Sequence, residues 1–189
     1  MKKTFLAAMA LIVAFAFTSC EDSQKTREEL LTQKKGWELQ TATSFPKYTN
    51  FDGESSEDLT QVFFLECELD DILEFNTDKS SFMNFGKLVC EGETEKKVSL
   101  GNWKLKDNDQ VLEFHLPYFF DANDNFALLE AKVQVLDENT LTLRIPITFE
   151  EPAPEKSFSL RESRRIKPHN ASTKSEPQYQ FTFTYKVAK

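Results

Sequence analysis

Three cysteines, two histidines and a few clustered acids are the residues of this chain whose types could do chemistry. Asp70-Asp71 has the form of paired acids or of a metal contact, and His115 and His169 are the two imidazoles that titrate near neutral pH. Catalysis by any of them needs a partner within reach: a nucleophile beside a base, or a base oriented by a carboxylate. No such constellation is evident. Asp70-Asp71 reads as a solvated pair where a strand begins, and both histidines as ordinary surface or partly buried groups. Asp121-Ala122-Asn123-Asp124-Asn125 has the opening spacing of a calcium loop, but Phe126 stands at the sixth position, where Gly is needed, and Lys132 at the twelfth, where a bidentate Glu is needed. It reads as a turn. Asn170-Ala171-Ser172 matches the N-glycosylation acceptor pattern. The cysteines form no C-x-x-C and no Cys/His cluster, which argues against structural zinc. The expectation is no catalysis, no metal and no cofactor.

The cysteines divide by position. Cys20 follows Met1-Lys2-Lys3, a run from Thr4 to Phe17 that is apolar after Thr4, and then Thr18-Ser19. A bilayer-spanning helix needs about 20 apolar residues, so this run suits the core of a signal peptide. A buried helix is the other reading, and the two lysines and Ser19 weigh against it. The order resembles a bacterial lipoprotein signal, in which the cysteine sulfur receives a diacylglyceryl group and becomes the new N-terminus. Phe17 and Ser19 stand where that pattern usually has Leu and Gly or Ala. The resemblance implies a signal peptide over 1–19 and a lipid anchor at Cys20, with palmitate-like acyl chains, of which two or three hold stably where one is marginal. Residues 20–33 then form the anchor and a polar tether, with Glu21 to Glu29 too charged to pack into a core. Acids just after the cysteine resemble the export signal of Gram-negative lipoproteins shown on the outer face of the outer membrane. The implied address is the outer membrane, with display at the cell surface.

The elements that would position any site follow period two, the mark of strands with one buried face. Ala127, Leu129, Ala131, Val133 and Val135 alternate with Glu130, Lys132 and Gln134, and Leu141, Leu143, Ile145 and Ile147 alternate with Thr142, Arg144 and Pro146. Asp137-Glu138-Asn139 between them makes a hairpin, and Pro146 suggests an edge or a bulge. Tyr179, Phe181, Phe183, Tyr185 and Val187 share a face of the clearest strand. Trp37-Leu39, Ile72 to Phe75, Phe82 to Leu88, Val98 to Leu105 and Gln110 to Leu116 bring the candidates to eight, with turns at Asn76–Lys79 and Lys106–Asp109. Residues 59–69 suit a helix or a strand equally. Ser44 to Glu57 and Glu150 to Pro177 read as loops, the second long enough to hide a short strand near Phe158 to Arg161.

Formal net charge is −8, and losing Lys2 and Lys3 makes it two units more negative. Phosphates want basic patches, so nucleic acid is excluded as a partner, and adhesion to the membrane falls to the acyl chains. With Cys20 spoken for, Cys67 and Cys90 are an even pair in a compartment that permits disulfides. If the intervening turn centres between Asp78 and Lys79, Phe75 faces Phe82, Leu69 faces Leu88 and Cys67 faces Cys90. That last pair falls where hydrogen-bonded residues stand farther apart.

Two motifs sharpen the fold. Lys35-Gly36-Trp37-Glu38-Leu39 opens the first strand, and Gly101-Asn102-Trp103-Lys104-Leu105 echoes it. Between them lie Cys67-Glu68-Leu69-Asp70-Asp71-Ile72-Leu73-Glu74-Phe75, Phe82 and Cys90-Glu91-Gly92. This order resembles the bacterial lipocalin-like domain lipoproteins over roughly residues 34 to 187. It departs in having Gly36 adjacent to Trp37, and in offering Arg144, Arg161, Arg164 and Arg165 for the one Arg that covers the opening Trp. The resemblance implies an all-β domain over 34–189, an eight-stranded antiparallel up-and-down barrel with at most one or two short helices. Gly36, Trp37, Gly101 and Trp103 would be its structural markers. Phe75, Phe82, Phe85, Phe114, Phe181 and Phe183 could line a cavity for a small apolar or amphipathic molecule, or could fill the barrel as core. Two functions stay open: a membrane-anchored binder of such a molecule, or a module that meets a protein or glycan through its loops.

Overall fold

The computed structural model describes residues 25–49, 53–90, 95–120, 125–149, 166–167 and 178–189. These form one mostly antiparallel sheet that curls into a nearly closed barrel. In chain order come α1 (Arg27–Leu31), β1 (Trp37–Thr49), β2 (Ser55–Asp58), α2 (Thr60–Phe63), a 3-10 turn (Glu66–Glu68), β3 (Ile72–Phe75), β4 (Ser80–Asn84), β5 (Lys97–Asn102) and β6 (Lys104–Lys106). Then follow β7 (Val111–Phe120), β8 (Phe126–Leu136), β9 (Thr140–Phe149), β10 (Ile166–Lys167) and β11 (Tyr179–Val187). The sheet order is β5-β4-β3-β1-β11-β9-β8-β7-β6, with β2 paired to β1 and β10 to β9. The barrel wall thus has nine strands where eight were expected. The extra one arises because Val98–Leu105 is not a single strand: it breaks at Trp103 into β5, which pairs with β4, and β6, which pairs with β7.

That break is also the corner at which the barrel closes. Trp103 donates its amide to Lys79 O at 2.8 Å and its indole N–H to Asn76 O at 3.0 Å, so the indole is stitched to the β3–β4 turn. β5 lies beside β7 here. Gly101, with φ +100°, lets the two approach: a Cβ there would stand 3.1 Å from the His115 ring. At the start of β1, Gly36 (φ +69°) plays the matching part, since a Cβ would meet Ile72 Cγ2 at 2.6 Å.

Alternation puts the expected apolar sets inside. Ala127, Leu129, Ala131 and Val133 of β8, Leu141, Leu143, Ile145 and Ile147 of β9, and Phe181, Phe183 and Tyr185 of β11 are all buried. Val135 is not, because the ladder slips between Val133 and Val135 and the bulge turns it outward. Pro146 sits beyond the last β8–β9 pair, at a local edge where β9 pairs only with β11. The turn Asp137–Asn139 is tied by the Asp137 carboxylate, which accepts the Asn139 and Thr140 amides at 2.8 Å.

Three expectations are corrected. Ser44–Glu57 is not a loop: β1 runs to Thr49 and pairs back with β2, through polar residues that carry no apolar alternation. The β3–β4 register is offset by one, with Glu74 opposite Phe82 and Phe75 opposite Ser81. Its turn has three residues, Thr77 to Lys79, closed by Asn76 N–H to Ser80 O, and Lys79 takes the left-handed conformation (φ 72°). One step of register swaps the faces. Finally, the folded domain begins before residue 34. Thr26 and Glu29 form a reciprocal cap on α1, and Leu31 is buried, its carbonyl accepting the Trp37 indole N–H at 2.9 Å. Residues 59–69, left open between helix and strand, form α2 and the 3-10 turn. Residues 1–24, 158–161 and His169 to Ser172 lie outside the described residues.

Candidate functional site

Three regions could act: the interior, the end closed by α1, and the opposite rim. The interior is occupied by rings. Tyr48, Phe63, Phe119, Phe181 and Phe183 are buried, with centroid separations of 4.8 Å for Tyr48–Phe63, 5.7 Å for Phe63–Phe181 and 6.2 Å for Phe119–Phe183. Phe64 adds edge-on contacts to Tyr118, Phe119 and Phe183. Toward the α1 end, Phe75 stands edge-on to Trp103 and Phe114 at about 6 Å. Phe75, Phe114, Phe181 and Phe183, expected to line a cavity or fill the core, are thus core, and Phe85 packs against it half-buried. Phe82 is on the outer face, where the Lys97 ammonium covers its ring at 4.4 Å. It lines no cavity, a direct result of the one-residue register offset. Phe63, Phe64, Phe119 and Tyr48 were not anticipated; Phe63 and Phe64 lie where helix and strand were both plausible, and Phe119 lies within the bulge between Leu116 and Phe120.

At the α1 end a cleft of about 390 Å3 is lined by Glu28, Lys79, Asn102, Trp103, Lys104, Leu105, Asp109 and Glu113. Its floor is not an open aromatic face. The Lys79 ammonium lies 4.3 Å above the Trp103 ring and pairs with Glu28 at 2.6 Å, joining the β3–β4 turn to α1. Beside the cleft, Lys106 bridges Glu113 and Glu130 across β6, β7 and β8, and those two hydrogen bonds hold its pKa well above the ordinary lysine value. Asn102, Lys104 and Asp109 are exposed at its mouth.

At the opposite rim, Cys67 and Cys90 form a disulfide with Cα atoms 5.3 Å apart. It does not cross a hairpin ladder, because the β3–β4 pairing ends at Ile72–Asn84; it joins the 3-10 turn to the segment after β4. Asp70 and Asp71 hold the same two segments together, so they are not a solvated pair. Asp71 is buried, accepting the Gly86 amide at 2.7 Å and the Tyr118 hydroxyl. Asp70 accepts the Lys87 amide at 2.7 Å and the Leu88 amide at 3.3 Å. Gly86 is required by this contact, since a Cβ would fall 2.2 Å from the Asp70 carboxylate. Both carboxylates thus tie segments together, Asp71 through Gly86 and Tyr118 and Asp70 through its Oδ2, while Asp70 Oδ1 is buried without a hydrogen-bond partner among the described residues.

His115 has its ring against Gly101. Among the described residues no group of three or more His, Cys, Asp or Glu could hold a metal ion, and no helix is long and apolar enough to cross a membrane. Cys20, His169 and residues 121–124 lie outside the described residues. Comparison with known protein families, with characterised proteins and with solved structures finds no match.

Proposed function

We propose that this protein is a lipocalin-like lipoprotein, acylated at Cys20 and held at the outer membrane, whose barrel is a scaffold that presents binding surface at its ends. The observation that carries the reading is the aromatic interior: rings from β1, α2, β7 and β11 touch one another where a carrier would keep space. A protein or glycan partner reached through the end surfaces fits such a module. The reading includes no catalytic step. The lipid anchor and the outward-facing location rest on the order Lys2-Lys3, apolar run, Ser19-Cys20, Glu21-Asp22.

A small amphipathic molecule is the second reading, favoured by one observation. The cleft beside Trp103 has a volume within the range of small-molecule sites, several hundred Å3, though its walls are more polar than most. Such a molecule would lodge at the barrel end and not among the interior rings.

Native mass spectrometry of protein purified from membranes separates the two. The scaffold reading expects the acylated mass alone, and a stoichiometric small-molecule adduct overturns it. Cys20→Ala is expected to abolish fatty-acid labelling and release the protein from membranes; unchanged labelling overturns the anchor.

A further inference from the structure

We infer that the α1 end of the barrel is the face laid against phospholipid headgroups, so that the disulfide-bearing rim is the surface turned away from the membrane. The inference rests on the lipid-anchor reading of Cys20. The described chain begins at Lys25, and its first residues are fixed to the closed end. Lys25 pairs with Glu138 of the β8–β9 turn, Thr26 caps α1, and Leu31 is buried against Trp37. From Cys20 to Lys25 is a reach of at most about 18 Å even when fully extended. On the β7 side the wall is longer than that, a ten-residue strand spanning roughly 33 Å, or about 25 Å along a barrel axis at ordinary tilt; on the disulfide side it is shorter, since β3 begins at Ile72, opposite Glu38. The acyl chains therefore stay within that reach of the end that holds α1, which makes it the end held nearer the bilayer.

Charge at that end favours the same placement. Gly36 O accepts the Ala188 amide, which sets Lys34-Lys35 beside Lys189, and Lys104 stands at the mouth of the cleft next to Glu28. These four lysines are exposed and have no hydrogen-bond or ion-pair partner among the described residues. Of the neighbouring acids, Glu28 is paired with Lys79 and Glu138 with Lys25, while Glu29, Asp78 and Asp137 are hydrogen-bonded only to uncharged groups and keep their charge. Asp107 and Asp109 on the β6–β7 turn oppose them in part. In a chain whose net charge is −8, this leaves cations free to meet lipid phosphate next to the anchor. The acyl chains and the short tether set the face; the lysines draw it onto the headgroups.

The chain carries its own probes, since Trp37 and Trp103 are its two tryptophans and both lie at the α1 end. The test uses acylated full-length protein in phosphatidylethanolamine–phosphatidylglycerol vesicles containing a lipid with a nitroxide headgroup. The protein is expected to float with the vesicles and its tryptophan emission to be quenched. Lys34→Glu with Lys35→Glu should still float, with quenching reduced at least twofold. Val89→Trp, at a rim position 60% exposed, should add emission that the nitroxide lipid leaves untouched. Flotation without quenching, or equal quenching at Val89→Trp, overturns the orientation and leaves the anchor standing. Failure to float overturns the anchor and this inference with it.

Discussion

The Tyr118 hydroxyl donates a hydrogen bond to the carboxylate of Asp71, and both residues are buried. Tyr118 reaches it from a backbone conformation with φ 67°, within the bulge that separates the Leu116–Ala127 and Phe120–Phe126 pairs. The bulge re-aims one side chain across the barrel rim to the segment that precedes β3. Tyr118→Phe is expected to cost about 1.5–3 kcal/mol in urea denaturation, the usual worth of a hydrogen bond to a charged group. A change lost in the scatter of the midpoint would show that the pair is not structural.

Phe181 tests whether the interior is scaffold. It touches Tyr48, Phe63, Phe119 and Phe183 and is fully buried. Phe181→Ala should cost about 3–5 kcal/mol, because the rings around it cannot collapse into the space. A nearly neutral substitution would mean that the ring lines a void already there.

The Cys67–Cys90 bond spans 23 positions of sequence and should stabilise the domain by roughly 3 kcal/mol on the chain-entropy account. Thiol titration of the unfolded, non-reduced mature protein should find none free, and Cys67→Ala with Cys90→Ala should lower the denaturation midpoint accordingly. Because Asp70 and Asp71 also hold the Gly86–Leu88 segment, the double variant is expected to stay folded.

Burial pushes the Tyr48 phenol up to about 12, from the usual value near 10, and pushes Tyr185 up as well. The folded protein therefore keeps protons that the unfolded chain has released. Stability from these groups is fully present below about pH 10 and falls as pH rises from there through the folded value. Denaturation midpoints measured between pH 9 and 12 should decline, and Tyr48→Phe should make that decline shallower. An unchanged slope in Tyr48→Phe would assign the alkaline loss elsewhere.

The fold was legible wherever one face is buried along an unbroken ladder. β8, β9 and β11 show their inner residues in plain alternation, and the turn at Asp137–Asn139 shows its acid. Legibility failed where backbone conformation decides. Nothing in Asn76–Lys79 tells a three-residue turn from a two-residue one, yet that choice puts Phe82 outside. Val98–Leu105 changes phase between Leu100 and Trp103, a break at Gly101-Asn102 that marks the corner the indole turns. β1 beyond Ser44 buries only Tyr48 and exposes Phe45, and β2 is polar throughout, so their pairing leaves no apolar alternation. Four of the six phenylalanines read as lining or core are packed core, and the cluster around them was incomplete, since α2 delivers Phe63 to the interior from a segment of ambiguous period. The cleft brings together Glu28, Lys79 and Lys104 from three separate elements, and such a meeting follows from topology alone.

β1 is flanked by β3 on one side and by β11, the last strand of the chain, on the other. The sheet therefore cannot be completed until Tyr179–Val187 is available, since Trp37 waits for Val187 and Phe45 for Gln180. Pairings between the two ends of a domain form late and slowly. Until β11 docks, β1 and β9 are open sheet edges, and a truncation before Tyr179 is expected to leave them so in place of a continuous barrel wall.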